Sequence, residues 1–279
     1  MWTPRPPSSP ARVSGLFALA FGLAFGASPC ETMAQGRTVL TVDTIRAVQP
    51  WHPHAVYTFP HLRVPERPQV AERIQRHLCI DLLEADPDTA GDRLFGRVWG
   101  DTATARLPSL YDLTWEVHQP LQEVVDFEIS AEGCGAYCEG FTRHYVYDLR
   151  DGHYLDFDSL LTPAGLSALN DTLDKRWRTT LGNYMDSLGV RLSSPDLTPE
   201  DTELVVLTYA LYRDCMEERE GRAPYVDDIQ PLTNAMRFFI SRCAAHVNQN
   251  LDELDPLSFE LPYGWLAAYL RPELRSLFR

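Results

Sequence analysis

The sequence predicts an α+β fold: an antiparallel sheet packed against a few amphipathic helices in a single domain. Three observations predict it. Segments that alternate apolar and polar residues, rich in β-branched and aromatic types, dominate the first half of the chain. Two long segments of helical period follow one another between residues 160 and 220. Strand and helix patterns therefore stay segregated instead of alternating as βαβ units, which points away from a parallel sheet. With 279 residues, 44% hydrophobic and 23% charged, the composition suits a folded globular chain and excludes collagen, coiled coil and polytopic membrane protein.

The elements follow in order. From Thr38 the β-branched run "TVLTVDTIRAV" reads as a strand, and "HAVYTFPHL" from His54 reads as another, confined to an edge or a strand end by Pro60. Between Arg67 and Glu84, Val70, Ile74, Leu78 and Leu82 recur at helical spacing with His77 beside them. The stretches from Asp112 and Glu123 read as two central strands, with Val125, Phe127 and Ile129 on one face and Val124, Asp126 and Glu128 on the other. A further strand, "FTRHYVYDL", runs into an Asp151-Gly152 turn that folds the chain back as a hairpin.

In the helical half, Thr162 caps and Pro163 opens a helix with Leu166, Leu169, Leu173 and Trp177 as its stripe, ended by Gly189. Thr198 and Pro199 open a second helix reaching about Glu220, with an apolar face of Leu204, Leu207, Leu211 and Cys215. Strands from Met236 and Pro256 and a short terminal helix, "YGWLAAYLRPEL", close the chain.

The first 34 residues read as a targeting segment. Arg5 and Arg12 precede an uncharged apolar run from Val13 to Ala27, the pattern of a secretory signal peptide. That run falls short of the roughly 20 residues that span a bilayer. Thr32 and Ala34 sit where a signal peptidase cuts, which makes 35–53 an N-terminal strand segment and 54–279 the main domain. Lipoprotein processing at Cys30 is the minority alternative, opposed by Pro29. The expected location is exported, in the periplasm or at the cell surface.

Past Cys30, five cysteines remain, in a compartment where thiols oxidise. Cys134 and Cys138 lie in a glycine-rich loop that lets their α-carbons approach, so they are the expected disulfide. Cys79, Cys215 and Cys243 leave room for one more bridge of open pairing. A zinc site joining Cys134 and Cys138 to His144 or His118 lacks a second pair of ligands with recognisable spacing, so no metal is expected.

Lys plus Arg total 25 against 39 Asp plus Glu, for a net charge of −14, so a nucleic-acid partner has no electrostatic support. Only Lys175 is a lysine. No Gly-x-Ser-x-Gly, His-Glu-x-x-His or phosphate-cradling loop occurs, which lowers the case for familiar catalysis. Asp126, Glu128 and Glu132 offer a carboxylate pair for sugar hydrolysis, but alternating acids on a strand are ordinarily its solvated face. Asp148, Asp151, Asp156 and Asp158 offer calcium oxygens without the spacing of a calcium loop, so turn chemistry is the plainer reading. His118, His144, His153 and His246 read as hydrogen-bonded structural histidines. Trp115, Tyr137, Phe141, Tyr145 and Tyr147 gather near one loop and offer rings to stack on a sugar, though strand alternation sends about half of them to the core.

Four segments carry a family resemblance: "QVAERIQRHL", "DFEISAEGCGAY", "YVYDLRDGHYLDFDSLL" and "LSFELPYGWLAAYL". In their order the chain resembles a family of exported bacterial envelope domains of largely unassigned function. That family includes the lysozyme-binding extracellular domain of the RsiV anti-sigma factor and domains that accompany PdaC-type peptidoglycan deacetylases. The likeness spans about His54 to Pro272 and rests on apolar and turn residues. Some members carry Gly-Ala-His in the loop; here Gly135, Ala136 and Tyr137 stand between two cysteines, so no histidine role carries over. The resemblance implies a non-catalytic binding domain without cofactor, whose partner is a cell-wall glycan or an envelope protein. The implied contact is the loop from Gly133 to Gly140 with Tyr137, Glu139, Phe141 and Tyr145. The alternatives are a carboxylate-dependent hydrolase of wall sugars, acting through Asp126 and Glu128, and a purely structural envelope protein.

Overall fold

A computed structural model describes residues 40–49, 52–100, 109–134, 138–220, 222, 224–244 and 246–279. The proposed signal peptide, Cys30 and Tyr137 lie outside the described residues. An opening hairpin pairs β1 (Thr41–Gln49) with β2 (His52–Arg63), and Pro60 sits in it opposite Thr44. Helix α1 (Pro68–Leu83) follows, then a single turn, α2 (Pro87–Ala90). A four-stranded antiparallel meander comes next: β3 (Leu110–Leu121), β4 (Val124–Cys134), β5 (Cys138–Asp148) and the two-residue β6 (His153–Tyr154). After the single turn α3 (Phe157–Leu160) come the long helices α4 (Pro163–Leu192) and α5 (Pro199–Glu218). A three-stranded antiparallel sheet of β7 (Val226–Pro231), β8 (Ala235–Ile240) and β9 (Leu257–Pro262) then leads into the short α6 (Tyr263–Leu266). The fold is α+β, with three antiparallel sheets where the sequence predicted one.

The apolar side chains divide into two cores. One lies under α1, where Val70, Ile74 and Leu78 meet Phe127, Ile129 and Tyr147 of the meander. The other gathers α4 and α5 with the three-stranded sheet, around Leu169, Leu173, Trp177, Tyr212 and Phe238. The middle of the meander faces both ways, since odd-numbered residues of β4 enter the first core while Val124 enters the second.

Both long helices begin as their sequences dictate. Thr162 and Thr198 accept the amide hydrogens of Gly165 and Asp201, and a proline follows each cap. Two expectations need correction. Helix α4 does not stop at Gly189 but runs on to Leu192, because Leu188 is buried and Leu192 packs against the same core. Glycine ends a helix only where the chain turns left-handed, and here the packing keeps it right-handed. On α5 the buried face is Val205, Thr208, Tyr212 and Cys215, while Leu204 and Leu207 are 41% and 47% exposed. The face is displaced by one residue, about 100°, at three of its four expected positions, while Cys215 is buried as expected. It is fixed by the Cys215–Cys243 disulfide and by the Tyr212 hydroxyl, which donates to Asp252 at 2.8 Å.

Candidate functional site

The second disulfide joins Cys134 to Cys138 across the tip of the β4–β5 hairpin, where the two residues are also strand partners. Each sulfur is bonded to the other, so neither offers a thiolate to a metal. Cys79 is left as a buried thiol whose pKa burial raises, with the Gln75 amide 3.6 Å from its sulfur. Three of the four aspartates around the β5–β6 hairpin do turn and cap chemistry. Asp148 holds the Arg150 guanidinium at 2.6 Å, Asp151 accepts the His153 amide, and Asp156 caps α3 through the Ser159 amide.

The described loop residues lead into a cleft between β5 and the three-stranded sheet. Its volume is about 670 Å³, and Glu139, Phe141, His144, Arg237, Phe239 and Arg242 are among its walls. Glu139 forms an ion pair with Arg242 of the segment after β8, tying the hairpin to the three-stranded sheet. A second hollow of about 510 Å³ shares Phe141, His144 and Asp228 with the first and adds Asp81, Tyr145 and Tyr154. The Tyr145 hydroxyl donates to Asp81 at 2.6 Å, and burial followed by that carboxylate pushes its pKa upward. Three of the sequence-derived binding residues, Glu139, Phe141 and Tyr145, therefore reach these hollows. Trp115 packs partly against the α1 core and Tyr147 is fully buried in it, bonded to His77 Nδ1 at 2.7 Å, so the aromatic cluster divides.

The floor of the join is ionic. Asp126 is 0% exposed and His144 5%, and His144 Nδ1 lies 3.0 Å from Asp126 Oδ2. The ring of His144 is stacked on Phe239 of β8, 5.1 Å between centroids and 12° between planes. From β7, Asp228 reaches over so that the His144 backbone N–H donates to its Oδ2. A side chain thus supplies the acceptor that a neighbouring strand would give. Asp126 is not on a solvated face, as its alternation suggested; a second sheet covers it. Glu128, two residues along, is half-buried, with its carboxylate 3.3 Å from His118 Nε2.

Burial is the largest single influence on each member of this group. It lifts the Asp126 carboxyl above its ordinary value by more than the His144 interaction lowers it. It pushes Asp228 up to about 6 against the His144 hydrogen bond. Burial also disfavours a charged His144, but the bond to Asp126 and the charges of Asp126 and Asp228 outweigh it, so the imidazole holds its proton to higher pH than usual. Sequence reasoning found Asp126 and His144 singly and missed Asp228. The run Val226-Asp227-Asp228-Ile229 has adjacent acids that hide its strand character.

No family model and no curated protein matches the sequence. Two crystal structures are similar in fold. A DUF3298 family protein from Pseudomonas aeruginosa PAO1 shares 14% identity over 85% of this chain and 96% of its own, with a TM-score of 0.49. A member of the same family from Bacteroides fragilis NCTC 9343 shares 11% identity over 88% of this chain and 99% of its own, with a TM-score of 0.50. At such an identity the likeness to the second concerns the α+β fold alone. Two disulfides fit an oxidising compartment, and among the described residues no helix is long and apolar enough to cross a membrane.

Proposed function

We propose that this chain is a non-catalytic binding domain of the exported cell envelope, which holds a peptidoglycan fragment in the cleft between β5 and the three-stranded sheet. The observation that carries the reading is the wall chemistry of that one cleft. Phe141 and Phe239 offer aromatic surface, while Glu128, Glu139, Arg237 and Arg242 offer both signs of charge. A glycan bearing a short peptide presents apolar sugar faces, amide groups, amines and carboxylates, and each finds a counterpart there. Export is supported by the leader pattern and the two disulfides. Against hydrolysis stands the burial of Asp126, which has no exposed surface with which to meet a substrate and is committed to His144.

A lysozyme-like protein is the other partner of this kind, and a net charge of −14 would steer a basic one inward. The test is a thermal-shift and pull-down series on the exported protein, unreduced, with solubilised peptidoglycan fragments and with lysozyme. Fragments at 100 times their Kd should stabilise the fold by about 2.7 kcal/mol, and Phe141→Ala should abolish the shift. No shift with any fragment overturns the reading. Binding of lysozyme alone transfers it to the protein partner, and release of reducing sugar replaces it with the hydrolase.

A further inference from the structure

We propose that Asp126, His144 and Asp228 form a proton-tightened latch between the four-stranded and three-stranded sheets, which holds the cleft closed as the surroundings acidify. Geometry comes first. β5 and β7 lie side by side, yet among the described residues no strand pairing joins them. What crosses at mid-strand is the His144 amide bound to the Asp228 carboxylate and the His144 ring lying on Phe239. The Glu139–Arg242 pair ties the hairpin end, and Phe157 of α3 meets Phe238 of β8 edge-on. The polar centre of the join is thus made by groups that titrate, beside an apolar contact in which Val146 of β5 shares a core with Ile229 of β7 and Phe238 of β8.

Charged and titratable neighbours face the latch from every side. They are His118 of β3, Glu128 of β4, Glu139 and Arg143 of β5, Tyr154 of β6, Asp227 beside Asp228, Arg237 of β8, Arg242 and Asp255 after it, and Asp81 of α1 across the second hollow. Carboxylates outnumber cations among them, so each ionisation of Asp126 or Asp228 adds repulsion within a buried space. The three latch groups act in one direction. Asp126, Asp228 and His144 all hold protons more tightly when the join is closed than when water reaches them. A raised carboxyl costs stability above its folded value and is relieved below it. A raised imidazole contributes below its ordinary value, and that contribution is lost as pH rises through its folded value. Closing the join therefore takes up protons, and acid favours the closed form.

The measurement is amide hydrogen exchange of the ligand-free full chain at pH 5 and pH 8, corrected for intrinsic rates and read over residues 141–147. From Asp228 alone, moved from 3.8 to about 6, opening should be about tenfold rarer at pH 5. Asp228→Asn keeps an oxygen for the His144 amide but cannot ionise, so it should exchange alike at the two pH values apart from what the Asp126–His144 pair adds. His144→Gln gives a second, independent reduction. Residues 169–181 of α4, which carry none of the latch groups, should show no such change. Equal protection of β5 at both pH values overturns the latch, as does an undiminished pH effect in Asp228→Asn. A shift of equal size in α4, which would mean global rather than local opening, overturns it too. The consequence for ligand binding rests on the function proposed above, whereas the exchange measurement contains no ligand and stands or falls without it.

Discussion

The two faces of β4 are made of alternate residues of one strand, yet past Val124, which enters the second apolar core, they are held by different physics. On the odd-numbered face Val125, Phe127 and Ile129 are fully buried against α1, and apolar area removed from water stabilises them. On the even-numbered face Asp126 is buried as completely, but by a sheet that the chain forms a hundred residues later. Farther along the same face Ser130 lies beyond the join, and its hydroxyl bonds to that of Thr142 on β5, 2.9 Å away. Equal burial in one strand can thus rest on dispersion and dehydration at one residue and on a balanced ionic cluster at the next. Substitutions along this strand separate the two.

The largest effect belongs to the apolar face. Phe127→Ala removes a ring that is 0% exposed and edge-on to Tyr147 at 6.1 Å between centroids. Chemical denaturation should show a loss of about 4 kcal/mol, the usual cost of emptying such a site. A loss below about 2 kcal/mol would mean that α1 collapses into the space and that this core is less rigid than its packing implies.

The same contrast explains what was legible in the sequence. The apolar face was readable because periodicity alone assigns it: Val125, Phe127, Ile129 and the α1 stripe announce their burial by residue type. So did the helix starts at Thr162 and Thr198, since a cap acts over three residues. The rotation of α5 was not readable, because both Leu204/Leu207 and Val205/Thr208 lie on helical periods and a distant disulfide and Asp252 choose between them. Nor was the ionic floor. An acid alternating along a strand means solvent unless something covers it, and what covers Asp126 comes from β7 and β8, whose placement no local pattern encodes. The cleft was half legible: Glu139 lies in the loop from Gly133 to Gly140 and Phe141 beside it, whereas Arg237, Phe239 and Arg242 come from the other wall.

The middle effect tests the ionic face. Asp126→Ala leaves His144 buried without its partner, and breaking a buried pair costs about 3 kcal/mol. The cost should depend on pH. In the intact protein Asp126 makes the imidazole hold its proton to higher pH; without it burial, the largest influence, lowers the imidazole pKa against only the charges of Asp228 and Glu128. The variant should therefore lose more stability at pH 5, where His144 is driven to charge, than at pH 8, where it stays neutral. Denaturation curves at both pH values decide it. A cost that does not grow toward acid would show that the pair contributes shape and not charge.

The smallest effect belongs to Ser130→Ala, and it shows where burial ends. Ser130 and Thr142 are paired residues of β4 and β5, and their hydroxyls bond across the ladder at an exposed position. Water replaces either partner there, so the exchange should cost no more than about 0.5 kcal/mol. If the loss instead approached that of Asp126→Ala, the three-stranded sheet would have to extend its cover over Ser130 in solution, and the ionic join would be wider than His144, Asp126 and Asp228. If it stays small, the join ends between Glu128 and Ser130, and the cleft mouth opens at that point of the strand.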